Sequence, residues 1–213
     1  AFFYRPQHPD YIGLTGESPP LMVMSHGGPT GATSSGYSSQ IQFWTSRGFA
    51  VVDVNYTGST GYGRAYREAL KGQWGLADVE DCVRAARHLV TKGEADSQRL
   101  IIRGGSAGGF TTLCALTFYD DFAAGMSRYG VADLESLARD SHKFEAHYLD
   151  GLVAPYPEQA TVYRQRSPIH HAERLSCPLL VLQGEDDAVV PPAQAEALVQ
   201  ALKAKRLPHA YLL

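Results

Sequence analysis

The sequence predicts an α/β fold, in which a mostly parallel β-sheet is covered by helices on both faces. Short apolar runs alternate with longer helical patterns along its 213 residues, which is typical of strands and helices that follow one another in βαβ units. The clearest helical pattern is Val79–Val90, where apolar residues recur every three or four positions and so share one face. With 44% hydrophobic and 19% charged residues, the chain has enough apolar side chains for one globular domain around such a sheet.

The predicted strands are six short apolar or β-branched runs, and helices fill most segments between them. A last helix is expected after Pro191 and Pro192, because proline is favoured in the first turn of a helix. The stretch 133–174 is mixed in polarity and is expected to cross the carboxyl edge of the sheet. Because the chain starts close to a strand and stops inside one, we expect a domain truncated at both ends. The six predicted strands are Leu21–Ser25, Ala50–Val54, Leu100–Arg103, Gly125–Tyr129, Leu179–Gln183 and Ala210–Leu213.

The composition excludes several classes of function. A net charge of -3 and a pI near 6.2 supply neither the basic face that nucleic acid needs nor a polybasic stripe for an anionic membrane surface. Apolar runs stay well short of the roughly 18 residues of a membrane-spanning helix. Three cysteines, Cys82, Cys114 and Cys177, are odd in number and widely spaced, so we expect reduced, mostly buried thiols and a cytoplasmic protein. Neither a metal nor a cofactor is expected.

The strongest chemical signal is Gly104–Gly108, which matches the pattern G-x-S-x-G. It follows the apolar run Leu100–Ile102 and precedes the helical run Phe110–Leu116, as a nucleophile elbow requires. In such an elbow the serine lies on a sharp strand-to-helix turn whose neighbours must be small. The motif therefore predicts that Ser106 is the nucleophile of an α/β-hydrolase fold, although a glycine-rich turn at a strand end remains the alternative.

A second candidate feature is His26–Pro29, which follows the predicted strand Leu21–Ser25. Glycines in this loop let the backbone approach a substrate closely. A bare N–H of the loop and the N–H of Ala107 are then placed to bind developing negative charge. A simple glycine turn is the alternative, but the coincidence with the elbow favours an oxyanion hole.

A catalytic acid is expected after the strand Leu179–Gln183, at the same sheet edge as the elbow. Asp186 and Asp187 both lie at that place. One of the two aspartates can instead cap the helix that opens at Pro191. We expect a structural role of that kind for Asp187.

The base that the serine needs is harder to assign. Of the eight histidines, His209 alone follows Asp186, and it lies at the start of the last strand, where a side chain does not normally reach a site at the other end of the strand. The pair His170–His171 precedes the aspartate and is typical of surface histidines near a short helix. The catalytic histidine is therefore expected beyond Leu213.

Motifs along nearly the whole chain resemble the prolyl oligopeptidase family of serine peptidases, in particular its acylaminoacyl-peptidase and aminopeptidase branch. An ordered set of matches is more specific than G-x-S-x-G alone. The matching stretches are His26–Pro29, Asn55–Gly63, Trp74–Gly75, Asp78–Asp81, Gly104–Gly109, Ser127–Gly130, Ser167–Ile169, Gln183–Asp187 and Val189–Pro192.

The resemblance implies roles for individual residues. Ser106 is implied as the nucleophile and Asp186 as the triad acid. Gly28 and Ala107 are implied as the oxyanion amides. The family's histidine lies in a loop after the last strand, which again places it beyond Leu213. The resemblance also implies an N-terminal β-propeller in the parent protein, so the 213 residues are expected to be part of a catalytic domain.

Three residues are implied as substrate contacts. Tyr129 and Val189 match positions near the family's primary side-chain pocket, although ordinary packing explains them equally well. Glu145, which precedes Tyr148, is the candidate for an acidic contact with a free peptide N-terminus.

The leading hypothesis is a serine peptidase that hydrolyses short or N-acylated peptides through an acyl-enzyme on Ser106. A carboxylesterase is the alternative enzyme, because a triad and an oxyanion hole serve both bond types. From a different class, the chain as it stands is a catalytically dead interaction fragment. With the base expected elsewhere, we expect the isolated chain to be inactive and its parent to be a peptidase, with homo-oligomerisation left open.

Overall fold

The computed structural model describes residues 1–140, 148–206 and 208–212. In these residues, seven strands form a single sheet with the order β1-β3-β2-β4-β5-β6-β7. Strand β1 is antiparallel to β3, and every other neighbouring pair is parallel. The strands are β1 (Phe2–Tyr4), β2 (Leu21–Ser25), β3 (Ala50–Val54), β4 (Leu100–Gly105), β5 (Ala124–Arg128), β6 (Leu179–Leu182) and β7 (His209–Leu212).

All six predicted strands are present, with shifts of one or two residues at their ends. Tyr129 lies just beyond β5 rather than inside it, because its φ of 40° is incompatible with extended backbone. The sequence analysis missed β1, whose three residues at the sheet edge are too few to show an alternation.

Helices follow most strands, as the α/β prediction requires. Helix α3 contains the predicted apolar face and buries Val79, Cys82, Val83, Ala86 and Leu89. The described helices are α1 (Ser39–Thr45), α2 (Arg64–Glu68), α3 (Ala77–Thr91), α4 (Ala107–Phe118), α5 (Leu134–Asp140), α6 (Tyr148–Leu152), α7 (Ala160–Arg166), α8 (Pro192–Ala204) and a 3-10 helix at Pro168–Arg174.

The helices lie on both faces of the sheet. On one face the large core joins the strands to α3, α4 and α8, and Phe110 and Leu198 are fully buried there. On the other face a smaller cluster of Met22, Val51 and Ile41 packs α1 against β2 and β3. Helix α4 is buried at nearly every position, because it runs between the sheet and the surrounding helices.

The parallel strands place their carboxyl ends at one edge, where loops collect in folds of this type. Ser25 at the end of β2 pairs with Gly104 of β4, and Gly105 pairs with Arg128 at the end of β5. The loops after these strands therefore lie side by side. The sequence predicted that the stretch 133–174 crosses this edge. Its described residues form short helices, and Leu137 and Leu149 among them line a cavity there.

Within the described ranges, no helix has the length and apolar character needed to cross a bilayer. The three cysteines are buried and unpaired, as the sequence predicted.

Ile102 on β4 offers a test of the large core. Its side chain is fully buried, so Ile102→Ala is expected to cost about 2 to 5 kcal/mol of unfolding free energy through the cavity it leaves. Chemical denaturation of the full-length protein, followed through this domain, measures the loss. Ile101→Ala on the opposite, half-buried face is the matched control. Equal losses in both variants would contradict the assignment of the main core to the Ile102 face.

Candidate active site

The turn that the G-x-S-x-G pattern predicts is present at the end of β4. Ser106 has φ 54° and ψ -123° and stands at the N-cap of α4. A serine in this left-handed region is strained, and it stays there because the surrounding structure fixes it. Its N–H donates to the carbonyl of Arg128 at 3.0 Å. The side chain is half-buried and is presented above the carboxyl edge of the sheet.

Two glycines of the elbow allow β4, α4 and β2 to approach closely. A Cβ on Gly104 would lie 2.2 Å from the carbonyl oxygen of Gly108. A Cβ on Gly108 would lie 2.2 Å from the backbone oxygen of Ser25 and 2.7 Å from that of His26. No side chain fits in these spaces, so the elbow requires glycine at both positions.

The loop His26–Pro29 packs directly against the elbow. A Cβ on Gly27 would lie 3.7 Å from the Cβ of Ser106, so the loop and the serine are in contact range. Gly28 has φ 131°, and its N–H donates no hydrogen bond to the described residues. Ala107 is the first helical residue of α4, where an N–H has no acceptor within the helix. The two amides predicted for the oxyanion therefore flank Ser106 without a competing helical partner.

The imidazole of His26 makes contacts that hold this loop in place. Its Nδ1 lies 2.8 Å from the Gly27 carbonyl and its Nε2 lies 2.7 Å from the Ser59 hydroxyl. The ring stacks on Tyr56 with centroids 4.2 Å apart, and the Tyr56 hydroxyl donates to the His26 carbonyl. Burial lowers the pKa of His26, which favours the neutral ring at neutral pH. The two ring nitrogens thus join the loop at Gly27 to Ser59 in the segment after β3.

Ser106 lines two cavities of different character. The first has a volume of about 60 Å³ and is mostly apolar. The predicted residues Gly28, Ala107 and Val189 all line it. Its remaining walls are Trp74, Val131, Leu137, Tyr148, Leu149 and Val190.

The second cavity, of about 310 Å³, also borders Ser106, and it is called the polar cavity because the charged residues Asp53, Arg103 and Arg128 line it. Tyr129 lines this cavity and Val189 lines the apolar one, so both residues lie beside a cavity that borders Ser106. Burial and the neighbouring Arg128 lower the pKa of Arg103 to about 10, which leaves its guanidinium charged at neutral pH. Burial raises the pKa of Asp53, which also lines this cavity.

The two candidate aspartates differ in their contacts. The Oδ1 of Asp187 accepts from the N–H groups of Val189 and Val190, each at 2.9 Å, and its Oδ2 lies 3.4 Å from the Gln183 amide. Asp186 is exposed and makes no hydrogen bond to the described residues. Asp187 does not cap α8, whose N-terminus has no side-chain hydrogen bond, but its contacts hold the loop directly before that helix.

The histidines singled out in the sequence lie away from Ser106. His209 pairs with Leu179 at the amino end of β6, whereas Asp186 follows the carboxyl end of that strand. The His171 ring packs against Phe118, and the Nε2 of His170 lies 3.9 Å from Asp133. Glu145, the candidate contact for a peptide N-terminus, lies outside the described residues.

Sequence reasoning missed the part played by Trp74 and Arg103. Trp74 was noted only as part of a matching stretch, and its place in the cavity wall depends on a loop between α2 and α3. Arg103 lies within a strand that the sequence predicts to be buried. A charged residue beside an apolar run was the feature of the sequence that could have identified it. Among the described residues, no group of three or more histidine, cysteine, aspartate or glutamate side chains is arranged to hold a metal ion.

Comparisons with known proteins agree on one family. The model of the prolyl oligopeptidase family matches residues 35–213. The chain is 34% identical over 200 residues to dipeptidyl aminopeptidase BIII of Pseudoxanthomonas mexicana, covering 91% of this chain and 29% of that protein. It is 32% identical over 201 residues to the acylamino-acid-releasing enzyme of Arabidopsis thaliana, covering 89% of this chain and 26% of that protein.

Among solved structures, a puromycin-hydrolyzing peptidase of Mycobacterium tuberculosis superposes with a TM-score of 0.97. The two sequences are 52% identical, and the match covers 99% of this chain and 32% of that one. The chain thus spans about a third or less of each of these three proteins.

Gly108 provides a test of the close approach at the elbow. Gly108→Ala is expected to cost about 3 kcal/mol or more, because the new methyl group meets backbone atoms that cannot rotate away. The thermal midpoint of the full-length protein is the measurement. Gly151→Ala is the control, since a Cβ there meets no atom within 4 Å in helix α6. A Gly108→Ala midpoint that matches the Gly151→Ala midpoint would show that the elbow tolerates a side chain.

Proposed function

Because the chain belongs to the prolyl oligopeptidase family, we propose that its parent protein is a serine peptidase that hydrolyses short peptides through an acyl-enzyme on Ser106. The observation on which this proposal rests is the position of Ser106. It stands on a strained elbow, between a glycine loop and an apolar cavity. A serine held in this way can meet a peptide carbonyl whose oxygen faces the loop.

In the proposed mechanism, the Ser106 Oγ attacks the scissile carbonyl while a histidine accepts its proton. The N–H groups of Gly28 and Ala107 stabilise the negative oxygen of the tetrahedral intermediate. The C–N bond then breaks, and the histidine donates the proton to the leaving amine. Water then attacks the acyl carbonyl while the histidine accepts its proton. The ester bond breaks as the histidine returns that proton to the Ser106 Oγ. We propose that this histidine follows Leu213 in the parent protein.

We propose that the apolar cavity binds the side chain of the residue before the cleaved bond. Val189, Val131 and Leu149 offer hydrocarbon contacts there, and burial of apolar surface favours an apolar side chain. Tyr129 lines the polar cavity that also borders Ser106, and we propose that this cavity binds the leaving-group part of the peptide.

The named relatives support peptide substrates, since they include a dipeptidyl aminopeptidase and an acylamino-acid-releasing enzyme. A puromycin-like amide is a further candidate, because the structurally similar protein of Mycobacterium tuberculosis is described as hydrolyzing puromycin. A carboxylesterase would use the same elbow, but the relatives named above are peptidases. We also propose that the parent protein carries an N-terminal β-propeller and acts in the cytoplasm, where the three buried thiols stay reduced.

Covalent labelling tests the nucleophile. A fluorophosphonate is expected to add once to the full-length protein, because an activated serine displaces its leaving group. Intact mass spectrometry measures the adduct. Ser106→Ala is expected to abolish it, and Ser35→Ala, at an exposed loop position, is expected to keep it.

Two substrates tested on the same full-length protein distinguish a peptidase from a carboxylesterase. An aminoacyl anilide is expected to be hydrolysed in a Ser106-dependent manner, alongside a p-nitrophenyl ester. Labelling with no anilide hydrolysis would favour the esterase. Absence of an adduct on folded protein would favour the interaction fragment.

Two variants identify the catalytic acid. We propose Asp186 as the acid, because its exposed carboxylate makes no hydrogen bond to the described residues and is free to accept from a histidine that follows Leu213. The carboxylate of Asp187 is already occupied by Val189, Val190 and Gln183. We expect Asp186→Asn to lower kcat about 10³- to 10⁴-fold, the scale of losing the group that orients the base. Asp187→Asn is expected to lower kcat by much less, because Asp187 holds the loop and not the base. The reverse ranking would assign the acid to Asp187.

A further inference from the structure

The most deeply buried carboxylate of the described residues has no place in the proposed mechanism. Asp78 lies in the first turn of α3, and its side chain is 0% exposed. Removing a carboxylate from water costs several kcal/mol unless hydrogen bonds replace the lost hydration. Because Asp78 lies in the core, its hydrogen bonds have to replace that hydration.

The carboxylate of Asp78 joins two segments that meet at the active site. Its Oδ1 accepts from the N–H of Gly75 at 2.6 Å, and its Oδ2 accepts from the Thr111 hydroxyl at 2.6 Å. Gly75 directly follows Trp74, a wall of the apolar cavity. Thr111 lies one turn after Ala107 on α4, the helix that begins at Ser106. Asp78 thus links the loop that carries the cavity wall to the helix that carries the elbow.

Other contacts hold Trp74 in the same position. Its main-chain N–H donates to the carbonyl of Leu152 at 3.1 Å, and Arg166 donates to its main-chain carbonyl at 3.1 Å. Its ring packs on Phe110 with centroids 4.7 Å apart. Gly75 has to be glycine here, since a Cβ would lie 2.9 Å from the Phe110 ring. The loop is therefore held by several contacts, and Asp78 adds a hydrogen bond to α4 beside the packing on Phe110 of the same helix.

We propose that Asp78 is a positioning residue, which sets the distance between the Trp74 wall and Ser106 and thereby the fit of the substrate side chain. The part that concerns substrate rests on the proposed function. The part that concerns Trp74 rests on the contacts alone. Asp78 itself touches neither the substrate nor the reacting atoms.

Burial raises the pKa of Asp78 to about 6, against the opposing effect of its hydrogen bonds. The pKa of Asp78 in the folded protein lies above the ordinary value of 3.8, so protonation of Asp78 stabilises the fold. This contribution to the free energy of unfolding is complete below about pH 3.8 and is lost as the pH rises through about 6. The ionisable groups that face Asp78 are Tyr56, Cys82, Cys114 and Arg166. Burial raises the pKa of the phenol and of both thiols, and an arginine stays charged, so near pH 6 Asp78 is the group of this cluster that titrates.

The test uses the full-length enzyme labelled with 5-fluorotryptophan. The ¹⁹F resonance of Trp74 is assigned by its loss in Trp74→Phe. Asp78→Ala is expected to shift this resonance and to raise KM for an apolar aminoacyl anilide about tenfold, the ratio that corresponds to a charged hydrogen bond of roughly 1.4 kcal/mol. The value of kcat at pH 8 is expected to stay within about threefold, because the reacting groups are intact.

Asp78→Asn separates position from charge. Its amide can donate to the Thr111 hydroxyl, which can in turn donate to the Ala107 carbonyl 3.1 Å away. We expect this variant to restore KM, and to remove the step near pH 6 that the wild-type Trp74 resonance shows. Asp81→Asn is the matched control on α3, since Asp81 bonds to Thr57 instead. Thr111→Val cuts only the link to α4, and it replaces Asp78→Ala if that variant does not fold.

The proposal is overturned if folded Asp78→Ala leaves the Trp74 resonance unchanged. It is also overturned if Asp78→Ala or Thr111→Val lowers kcat while KM stays at the wild-type value, since that result marks a general structural loss. If the wild-type enzyme cleaves no anilide, the proposed function fails, and the ¹⁹F spectra still decide whether Asp78 positions Trp74.

Discussion

The close approach of backbone at the elbow is the constraint on which the site depends. Strand β4, helix α4 and the end of β2 meet at Gly104 and Gly108, where any Cβ would overlap backbone atoms. This contact holds Ser106 in a strained conformation and brings the loop after Ser25 against it. The rest of the sheet fixes the three segments in place, since parallel pairing aligns their carboxyl ends. The strain at Ser106 is therefore offset by packing throughout the core.

Burial of polar groups organises the surroundings of the elbow. His26 is held neutral under the glycine loop, and Asp78 is held between the Trp74 loop and α4. Each group has its hydrogen-bonding atoms engaged, which reduces the cost of removing it from water. Arg103 remains charged beside the polar cavity. As a result, Ser106 borders one cavity with mostly apolar walls and another whose walls include Asp53, Arg103 and Arg128.

Much of the fold could be predicted from the sequence, because most strands and helices follow from the pattern of apolar residues within one short segment. Short runs of four or five residues predicted β2 to β7 to within two residues at each end, and the spacing on α3 predicted its buried face. The pattern G-x-S-x-G between a strand and a helix predicted the turn at Ser106. Strand β1 was missed, because its pairing with β3 depends on a partner distant in the chain.

The sequence by itself determined the family, the parallel sheet and the residue on the elbow, since these depend on spacing and on residues with no substitute, such as glycine. Tertiary structure alone decided which residues share a cavity. It placed Val189 and Tyr129 in the walls of different cavities beside Ser106, gave Asp187 rather than Asp186 a fixed carboxylate, and brought Trp74 into the cavity wall. Such outcomes depend on contacts between segments far apart in the chain, and no local pattern of residues encodes a distance of that kind.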